Sequence, residues 1–342
     1  MIRWRESSIH FHLPSPRSGE PGKWGRAQRA RERLCRSSCH AAVVRQNSRV
    51  GSDDFSDAAL VIIGHGTTLN ADSGAPVFQH AAELRRRACF AAVREGFWKQ
   101  DPQVVEVSRE LRLPRVFFVP LFVSEGYFSE EVIPRALGFP PSTAGSPARV
   151  MRRGEQTLVY CKPVGTHNRI TEVLLARARE VIEQFPFPRA PKPSDTTLFI
   201  AGHGTEQNEN SRLAIERQVN RIQSLGHYAA VHSIFLEEEP RIPSCYGLAR
   251  TKNLVVVPFF ISGGLHVNED IPVLLGEPER LVKQRLQAGQ PTWRNPTEKQ
   301  DKRVWYAPSV GSESRLADVV FERAREAALG IQEANLRPEA ME

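Results

Sequence analysis

The hydrophobic and polar positions of the chain form two similar series of alternating strands and helices. In each series a short apolar run, at residues 60–63 or 198–201, ends at a glycine, which is typical of a buried parallel strand. Each run is followed by apolar residues at the spacing of one helical face. These are Val77, Ala81, Leu84 and Ala88 in the first series, and Ile215, Val219 and Ile222 in the second. The pattern predicts two α/β units in tandem.

Each series continues with a longer apolar run and ends with an amphipathic segment. The runs at 116–123 and 254–261 predict strands, and Pro120 and Pro258 stand near their ends, where a missing amide donor is tolerated. Closing helices are predicted at 173–185 and 319–329. We therefore predict an α/β fold of two tandem domains, each a small parallel sheet flanked by helices, with a cleft between them.

The two series are copies of one unit. The sequence LVIIGHGT at residues 60–67 recurs as LFIAGHGT at 198–205, a separation of 138 residues. The same separation relates VPLF at 119–122 to VPFF at 257–260, and it holds without a gap from residue 60 to residue 138. The second copy then carries eight extra residues between Gly276 and Tyr306. Such a repeat predicts two related lobes.

The positive charge of the chain lies at its beginning. Residues 1–50 hold 11 of the 46 lysines and arginines and three of the 39 acids, so they carry +8 and the remaining 292 residues carry −1. We predict a basic, disordered tail at 1–55, lobe one at 56–185, a proline-rich linker at 186–195, lobe two at 196–331 and a C-terminal tail at 332–342. The balanced charge of the two lobes disfavours nucleic-acid binding.

Composition also argues against a membrane or secreted protein. No apolar run approaches the ~20 residues of a membrane-spanning helix. The five cysteines form no closely spaced, even-numbered framework of the secreted kind. We expect a cytoplasmic protein, although the arginine-rich start leaves an organellar transit peptide open. Because the two lobes are fused in one chain, we expect a monomer.

The candidate chemical groups stand where predicted strands end. His65 and His203 each follow the first strand of a lobe, between two glycines. In lobe two, His266 follows the 254–261 strand, and Glu237 follows a short strand predicted at 230–234. Since the carboxyl ends of parallel strands meet at one edge, we expect His203, Glu237 and His266 to lie close together. Two imidazoles and a carboxylate suit Co²⁺, Fe²⁺, Ni²⁺ or Zn²⁺; the alternative is a set of unrelated polar loop residues.

These motifs resemble those of the sirohydrochlorin chelatases of the CbiX type, in their two-domain long form. The residues that carry the resemblance are GHGT, FLEEEP at 235–240 and PFFISGGLHVNEDIP at 258–272, and it extends over residues 58–330. It implies a class II chelatase that inserts Co²⁺ or Fe²⁺ into sirohydrochlorin without ATP, in cobalamin or siroheme synthesis. It further implies that His203 and His266 hold the metal and accept pyrrole protons, with Glu237 assisting. The metal is then a substrate, and nothing points to an organic cofactor.

Lobe one departs from this pattern. The positions that match Glu237 and His266 hold Lys99 and Phe128. A phenylalanine cannot bind a metal, and an ammonium group repels a dication. We expect lobe one to have lost the metal site and to serve as a wall of the cleft. Candidate substrate contacts are His65, Lys99, Tyr127, Phe128, Gly263 and Gly264. Packing in the core would equally explain the two aromatic residues.

Two other functions are weighed against metal insertion. A non-catalytic carrier of metal or tetrapyrrole would keep the same ligands without releasing a product. A serine hydrolase or a P-loop enzyme is disfavoured because the chain has neither a GxSxG nor a GxxxxGK[ST] motif. The ligand set does not select one metal, so Ni²⁺ and Zn²⁺ are expected to bind in vitro as well.

Overall fold

The first half of the molecule is built around a five-stranded sheet. The computed structural model describes residues 54–67, 71–141, 149–204 and 209–336. The strands of lobe one are β1 (Phe55–Gly64), β2 (Phe90–Phe97), β3 (Arg115–Pro120), β4 (Val150–Arg153) and β5 (Gln156–Tyr160). Its helices are α1 (Ala75–Arg87), α2 (Val104–Glu110), α3 (Ile133–Ala136) and α4 (Ile170–Gln184). The strand order is β2-β1-β3-β5-β4, and only the pairing of β4 with β5 is antiparallel.

The second half repeats this arrangement. The strands of lobe two are β6 (Thr196–Gly202), β7 (Ala230–Phe235), β8 (Asn253–Pro258), β9 (Thr297–Lys299) and β10 (Lys302–Tyr306). Its helices are α5 (Glu209–Ser224), α6 (Cys245–Leu248), α7 (Ile271–Leu274), α8 (Glu279–Gln287) and α9 (Leu316–Leu336). The order β7-β6-β8-β10-β9 is that of lobe one, again with one antiparallel edge strand. The predicted fold class is confirmed. In the described residues no helix is long and apolar enough to cross a membrane.

The predicted helical faces are buried, but the predicted strand ends are wrong. In α1 the apolar positions Val77, Ala81 and Leu84 are all buried. Strands β3 and β8 were predicted to run three residues beyond their prolines, whereas both end at the proline itself. One hydrogen bond to β1 still forms beyond the proline of β3, from the Leu121 amide to the Ile63 carbonyl at 2.7 Å.

Regular secondary structure extends into both predicted tails. Phe55 was assigned to the disordered tail, yet it starts β1 and is 1% exposed, with its ring stacked on Phe90 at 4.6 Å between centroids. Residues 1–53 of that predicted tail lie outside the described residues. The C-terminal tail was predicted from residue 332, but α9 continues to Leu336 before the description ends. An amphipathic face that runs the length of a helix does not by itself show where the helix stops.

The closing helix of each lobe packs against the sheet of the other lobe. Helix α4 contacts β8 and β10, and α9 contacts β3. Two buried arginines at matching positions complete this exchange: Arg177 of α4 donates to the Ser309 carbonyl, and Arg323 of α9 donates to the Pro163 carbonyl, each at 3.0 Å. One hydrophobic core therefore serves both lobes, and a smaller core covers the outer face of each sheet.

The segment between the lobes is short and partly anchored. Directly after α4, the Phe185 carbonyl accepts a hydrogen bond of 2.9 Å from the indole of Trp305 in lobe two. A 3-10 turn at Pro193–Asp195 then leads into β6. Because the described residues of the two lobes form one compact unit, the domain boundaries at 185 and 196 stay a prediction.

Candidate functional site

Glycine stands on both sides of His203, where the chain turns at the end of β6. A side chain at Gly202 would overlap Ile215, whose Cδ1 lies 1.9 Å from the position of the added Cβ. Gly204 has φ of +67°, a left-handed conformation that a residue with a side chain rarely adopts. The two glycines let the chain turn sharply at the end of β6. His203 is thereby left at the carboxyl edge of the sheet.

His266 lies beside His203 although the two are far apart in sequence. It begins a π-helical turn, His266–Asp270, that follows β8. The centroids of the two imidazole rings are 4.9 Å apart, and the ring planes meet at 82°. Both side chains are between one third and one half exposed. The predicted proximity of these two histidines is therefore observed.

Each of the two histidines uses its Nδ1 atom to contact an oxygen. The Nδ1 atom of His203 lies 2.8 Å from the Gly204 carbonyl oxygen, and that of His266 lies 2.6 Å from Oδ2 of Asp270. An oxygen that accepts at Nδ1 favours the tautomer with the proton on Nδ1. In neutral histidine the lone pair is then on Nε2. Both rings are thus prepared to bind a cation, or to take up a proton, through Nε2.

Glu237 reaches this edge through the backbone of the next strand. Its amide donates to the His203 carbonyl at 3.0 Å, which extends the pairing of β7 with β6 by one bond. Its exposed carboxylate approaches His203 from the Nδ1 side, with Oε2 at 3.7 Å from Nδ1. Within the described residues, no three His, Cys, Asp or Glu side chains stand together as a metal site. The assignment of Glu237 as a third ligand stays a prediction.

Lobe one keeps the same geometry with different chemistry. The rings of His65 and Phe128 are 4.7 Å apart at 79°, nearly the arrangement of His203 and His266. The Lys99 amide donates to the His65 carbonyl at 2.8 Å, as Glu237 does to His203. The Lys99 ammonium lies over the Phe128 ring, 5.5 Å from its centroid. Where lobe two offers a second imidazole and a carboxylate, lobe one offers an aromatic ring and a cation.

The surroundings of His65 oppose its protonation. Burial lowers the pKa of His65 below the ordinary histidine value, and the positive charge of Lys99 lowers this pKa further. The contact between Nδ1 and the Gly66 carbonyl, 2.9 Å long, opposes part of this shift. His65 is therefore held in its neutral form, next to a cation that repels a metal ion.

The other predicted substrate contacts flank the two ring pairs. Tyr127 is 62% exposed and touches Phe128, with 5.6 Å between ring centroids. Side chains added at Gly263 and Gly264 would meet no atom closer than 3.6 Å, so this stretch of backbone is open. Their roles as substrate contacts stay predictions.

Sequence reasoning missed two residues of this site. Leu265 is 67% exposed and occupies the position that Tyr127 holds in lobe one. Asp270, the partner of His266, was read only as part of a motif. The repeat would have pointed to Leu265, and the spacing of four residues from His266 to Asp270, which share one face of a helix, would have pointed to Asp270.

Comparison with known proteins identifies relatives of both lobes. The model of the CbiX family matches residues 59–181 and again residues 197–327. A probable sirohydrochlorin cobaltochelatase from Halobacterium salinarum is 38% identical over 286 residues, which cover 81% of this chain and 94% of the relative.

Solved structures show the same fold. DR2241 from Deinococcus radiodurans, a multi-domain protein with structural similarity to chelatases, matches with a TM-score of 0.62 at 26% identity, over 78% of this chain and 54% of that one. The sirohydrochlorin chelatase SirB from Bacillus subtilis, in complex with cobalt, has a TM-score of 0.54 at 15% identity, over 81% of this chain and 97% of that one. With two family matches that together span most of the chain, this protein belongs to the CbiX family.

Proposed function

We propose that this protein inserts Co²⁺ or Fe²⁺ into sirohydrochlorin, without ATP, in cobalamin or siroheme biosynthesis. The observation that carries the proposal is the pair His203 and His266, whose rings lie 4.9 Å apart at the carboxyl edge of the lobe-two sheet. The relative from Halobacterium salinarum, which is named a probable sirohydrochlorin cobaltochelatase, supports the choice of substrate. The metal in this reaction is a substrate, and the reaction needs no organic cofactor.

Metal insertion requires a metal ligand and a proton acceptor in the same place. The macrocycle loses two pyrrole N–H protons when it takes up a dication. Neutral histidine can bind a divalent ion and can accept a proton near pH 7, since its ordinary pKa is about 6.5. Two histidines with their lone pairs on Nε2 therefore supply both functions. The nearby carboxylate of Glu237 contributes negative charge that favours the approach of the dication.

Lobe one contributes to holding the tetrapyrrole. Sirohydrochlorin carries eight carboxylates, and the Lys99 ammonium is a cation with which a carboxylate can pair. Exposed Tyr127 in lobe one and exposed Leu265 in lobe two offer apolar surface for the face of the macrocycle. The open backbone at Gly263 and Gly264 permits close approach beside His266.

Turnover distinguishes an enzyme from a carrier of the same fold. Purified protein is mixed with a fifty-fold excess of sirohydrochlorin and Co²⁺, and the absorbance change is followed with Fe²⁺ and with protoporphyrin in parallel. We expect many equivalents of metallated sirohydrochlorin per chain and none from protoporphyrin. A yield that stops at one equivalent per chain would instead identify a carrier.

The oligomeric state and the cellular location remain expectations. Because each lobe uses a helix of the other to cover its sheet, both lobes are needed to complete the shared core. A single chain therefore already contains the pair of lobes, and we expect a monomer in the cytoplasm. Light scattering of the purified protein tests the first expectation, and a mass of twice 38.4 kDa would contradict it.

A further inference from the structure

His266 and Asp270 form a pair inside a single turn. The turn His266–Asp270 is π-helical, and its first and last side chains meet, with Nδ1 of His266 at 2.6 Å from Oδ2 of Asp270. An ionised carboxylate can only accept hydrogen bonds, so this contact requires the proton to be on Nδ1 of His266. At that distance the bond is as short as charge-assisted hydrogen bonds are.

The scaffold of this turn is common to both lobes. In lobe two the hydroxyl of buried Tyr306 donates to the Val267 carbonyl at 2.7 Å, which ties the turn to β10. In lobe one the hydroxyl of buried Tyr160 donates to the Ser129 carbonyl at the same distance, within the π-helical turn Phe128–Val132. The lobe-one turn forms with Phe128 and Val132 at its ends, without an imidazole and a carboxylate there. Asp270 is therefore not needed to form the turn.

The internal repeat shows that Asp270 has no acidic counterpart in lobe one, whereas the acidic residue before it does. Lobe one has Phe128 where lobe two has His266, and it has Val132 where lobe two has Asp270. The preceding acid is present in both lobes, as Glu131 and as Glu269. Lobe one, whose ring pair contains only one histidine, thus lacks both the second imidazole and the carboxylate that contacts it in lobe two. This pattern links Asp270 to the function of His266.

We propose that Asp270 is a positioning residue, which holds His266 with its proton on Nδ1 and its Nε2 lone pair free for the dication. The proposal rests on the proposed function, because it assumes that His266 binds the metal that is inserted. The Gly204 carbonyl does the same for His203 at 2.8 Å, but a backbone carbonyl cannot be removed by substitution. Asp270 is therefore the partner that an experiment can remove.

Two substitutions of Asp270 and one matched control test the proposal. Asp270→Val introduces the residue that lobe one carries in the same turn, so the turn should still form, and Asp270→Asn keeps the shape while removing the charge. The control Glu269→Gln removes one negative charge from the same turn without touching His266, because Glu269 faces Lys283 at 3.7 Å. If only the lost negative charge mattered, Co²⁺ affinity would fall equally in the control and in the Asp270 variants.

The first readout is the tautomer of His266. Ring ¹⁵N spectra of histidine-labelled protein are recorded without metal at about pH 8.5, where ordinary histidine is neutral, and the His266 signals are identified by their absence in His266→Gln. We expect the proton on Nδ1 in the wild type and in Glu269→Gln, and a shift toward Nε2 in Asp270→Val. An unchanged tautomer in Asp270→Val would overturn the proposal, whether or not the protein is a chelatase.

The second readout is metal affinity compared with turnover. Removing such a partner of a metal ligand typically weakens binding by about 10–100-fold. We expect this loss of Co²⁺ affinity in Asp270→Val, a smaller loss in Asp270→Asn, and an unchanged KM for sirohydrochlorin. If Asp270→Val weakens Co²⁺ binding no more than Glu269→Gln does, the proposal fails. If the Co²⁺ results hold while the wild type produces no metallated sirohydrochlorin, only the proposed function fails.

Discussion

The chemistry of the two lobes differs at single residues on a shared backbone. His65 and His203 have the same flanking glycines and the same contact between Nδ1 and the next carbonyl. What separates the lobes is the residue that meets each histidine, Phe128 in one and His266 in the other. A ring of carbon atoms has no lone pair to offer, so the first lobe cannot complete a two-histidine site.

The role of Glu237 can be tested against that of Lys99. If the Glu237 carboxylate helps to hold the ion, Glu237→Gln should weaken Co²⁺ binding by about tenfold or more and leave sirohydrochlorin binding nearly unchanged. Lys99→Glu should leave Co²⁺ affinity at lobe two unaltered and weaken sirohydrochlorin binding, less so at high salt. Titrations of both variants with each ligand give these affinities. An unchanged Co²⁺ affinity in Glu237→Gln would remove Glu237 from the set of metal ligands.

The sequence predicted the histidines of the site better than their partners. His203 and His266 follow strands whose apolar runs are unmistakable, and strands of one parallel sheet end at one edge. Asp270 was missed because its contact with His266 depends on a π-helical turn, which hydrophobic periodicity does not reveal. The exposed carboxylate of Glu237 was placed at the correct edge, but which face of His203 it approaches depends on a side-chain rotamer.

Strand β1 begins well before the apolar run that predicted it. The strand starts at Phe55, five residues before the predicted run. The prediction began too late because the polar residues Ser56 and Asp57, which belong to the strand, interrupt the apolar pattern. Phe55 fills a space between the sheet and α9, where it contacts Phe117 and Phe321 at 5.3 and 5.8 Å between ring centroids. The sequence shows that Phe55 is apolar, but its partners are 62 and 266 residues away.

Removal of the Phe55 ring should destabilise the protein. Phe55→Ala leaves a cavity in the shared core, which typically costs about 3–5 kcal/mol of unfolding free energy. Phe187→Ala is the matched control, since this phenylalanine is 70% exposed and its loss should cost less than about 0.5 kcal/mol. Urea unfolding, followed by circular dichroism, gives both values. Equal values for the two variants would show that β1 does not begin at Phe55.

At the scale of the whole molecule, the exchange of α4 and α9 joins the lobes into one core. An amphipathic helix in a sequence shows that one face is buried, but it does not show which sheet covers that face. The repeat therefore predicted two similar lobes correctly and gave no sign that each lobe borrows a helix. The buried pair Arg177 and Arg323, each bonded to a carbonyl of the other lobe, marks the exchange.

This interface should make stability depend on pH. Burial lowers the pKa of His80, whose Nε2 lies 2.7 Å from the Gly311 carbonyl oxygen of lobe two. As pH falls below the ordinary value of about 6.5, the unfolded chain takes up a proton that the folded protein resists, so stability falls. His80→Gln, which introduces the residue lobe two has there as Gln218, keeps a donor and should reduce this fall.

Urea unfolding at pH 7.5 and pH 5.5 measures the effect. Each unit by which the pKa is lowered corresponds to about 1.4 kcal/mol. Burial also lowers the pKa of His167, so His80→Gln should still lose some stability between pH 7.5 and pH 5.5. His227→Gln, at an exposed histidine, should change stability by less than about 0.5 kcal/mol at either pH. A fall as large in His80→Gln as in the wild type would exclude His80 as a source of the pH dependence.

We infer that the metal is inserted at lobe two, whereas lobe one lacks the second histidine and helps only to hold the tetrapyrrole. The test is the steady-state rate of cobalt insertion into sirohydrochlorin. This rate is measured for the wild type, His266→Ala and His65→Ala. Loss of a group that binds metal and accepts protons should lower kcat in His266→Ala by about a hundredfold or more, whereas His65→Ala should retain most of the wild-type rate. A greater loss in His65→Ala than in His266→Ala would place the reaction in lobe one and contradict the claim.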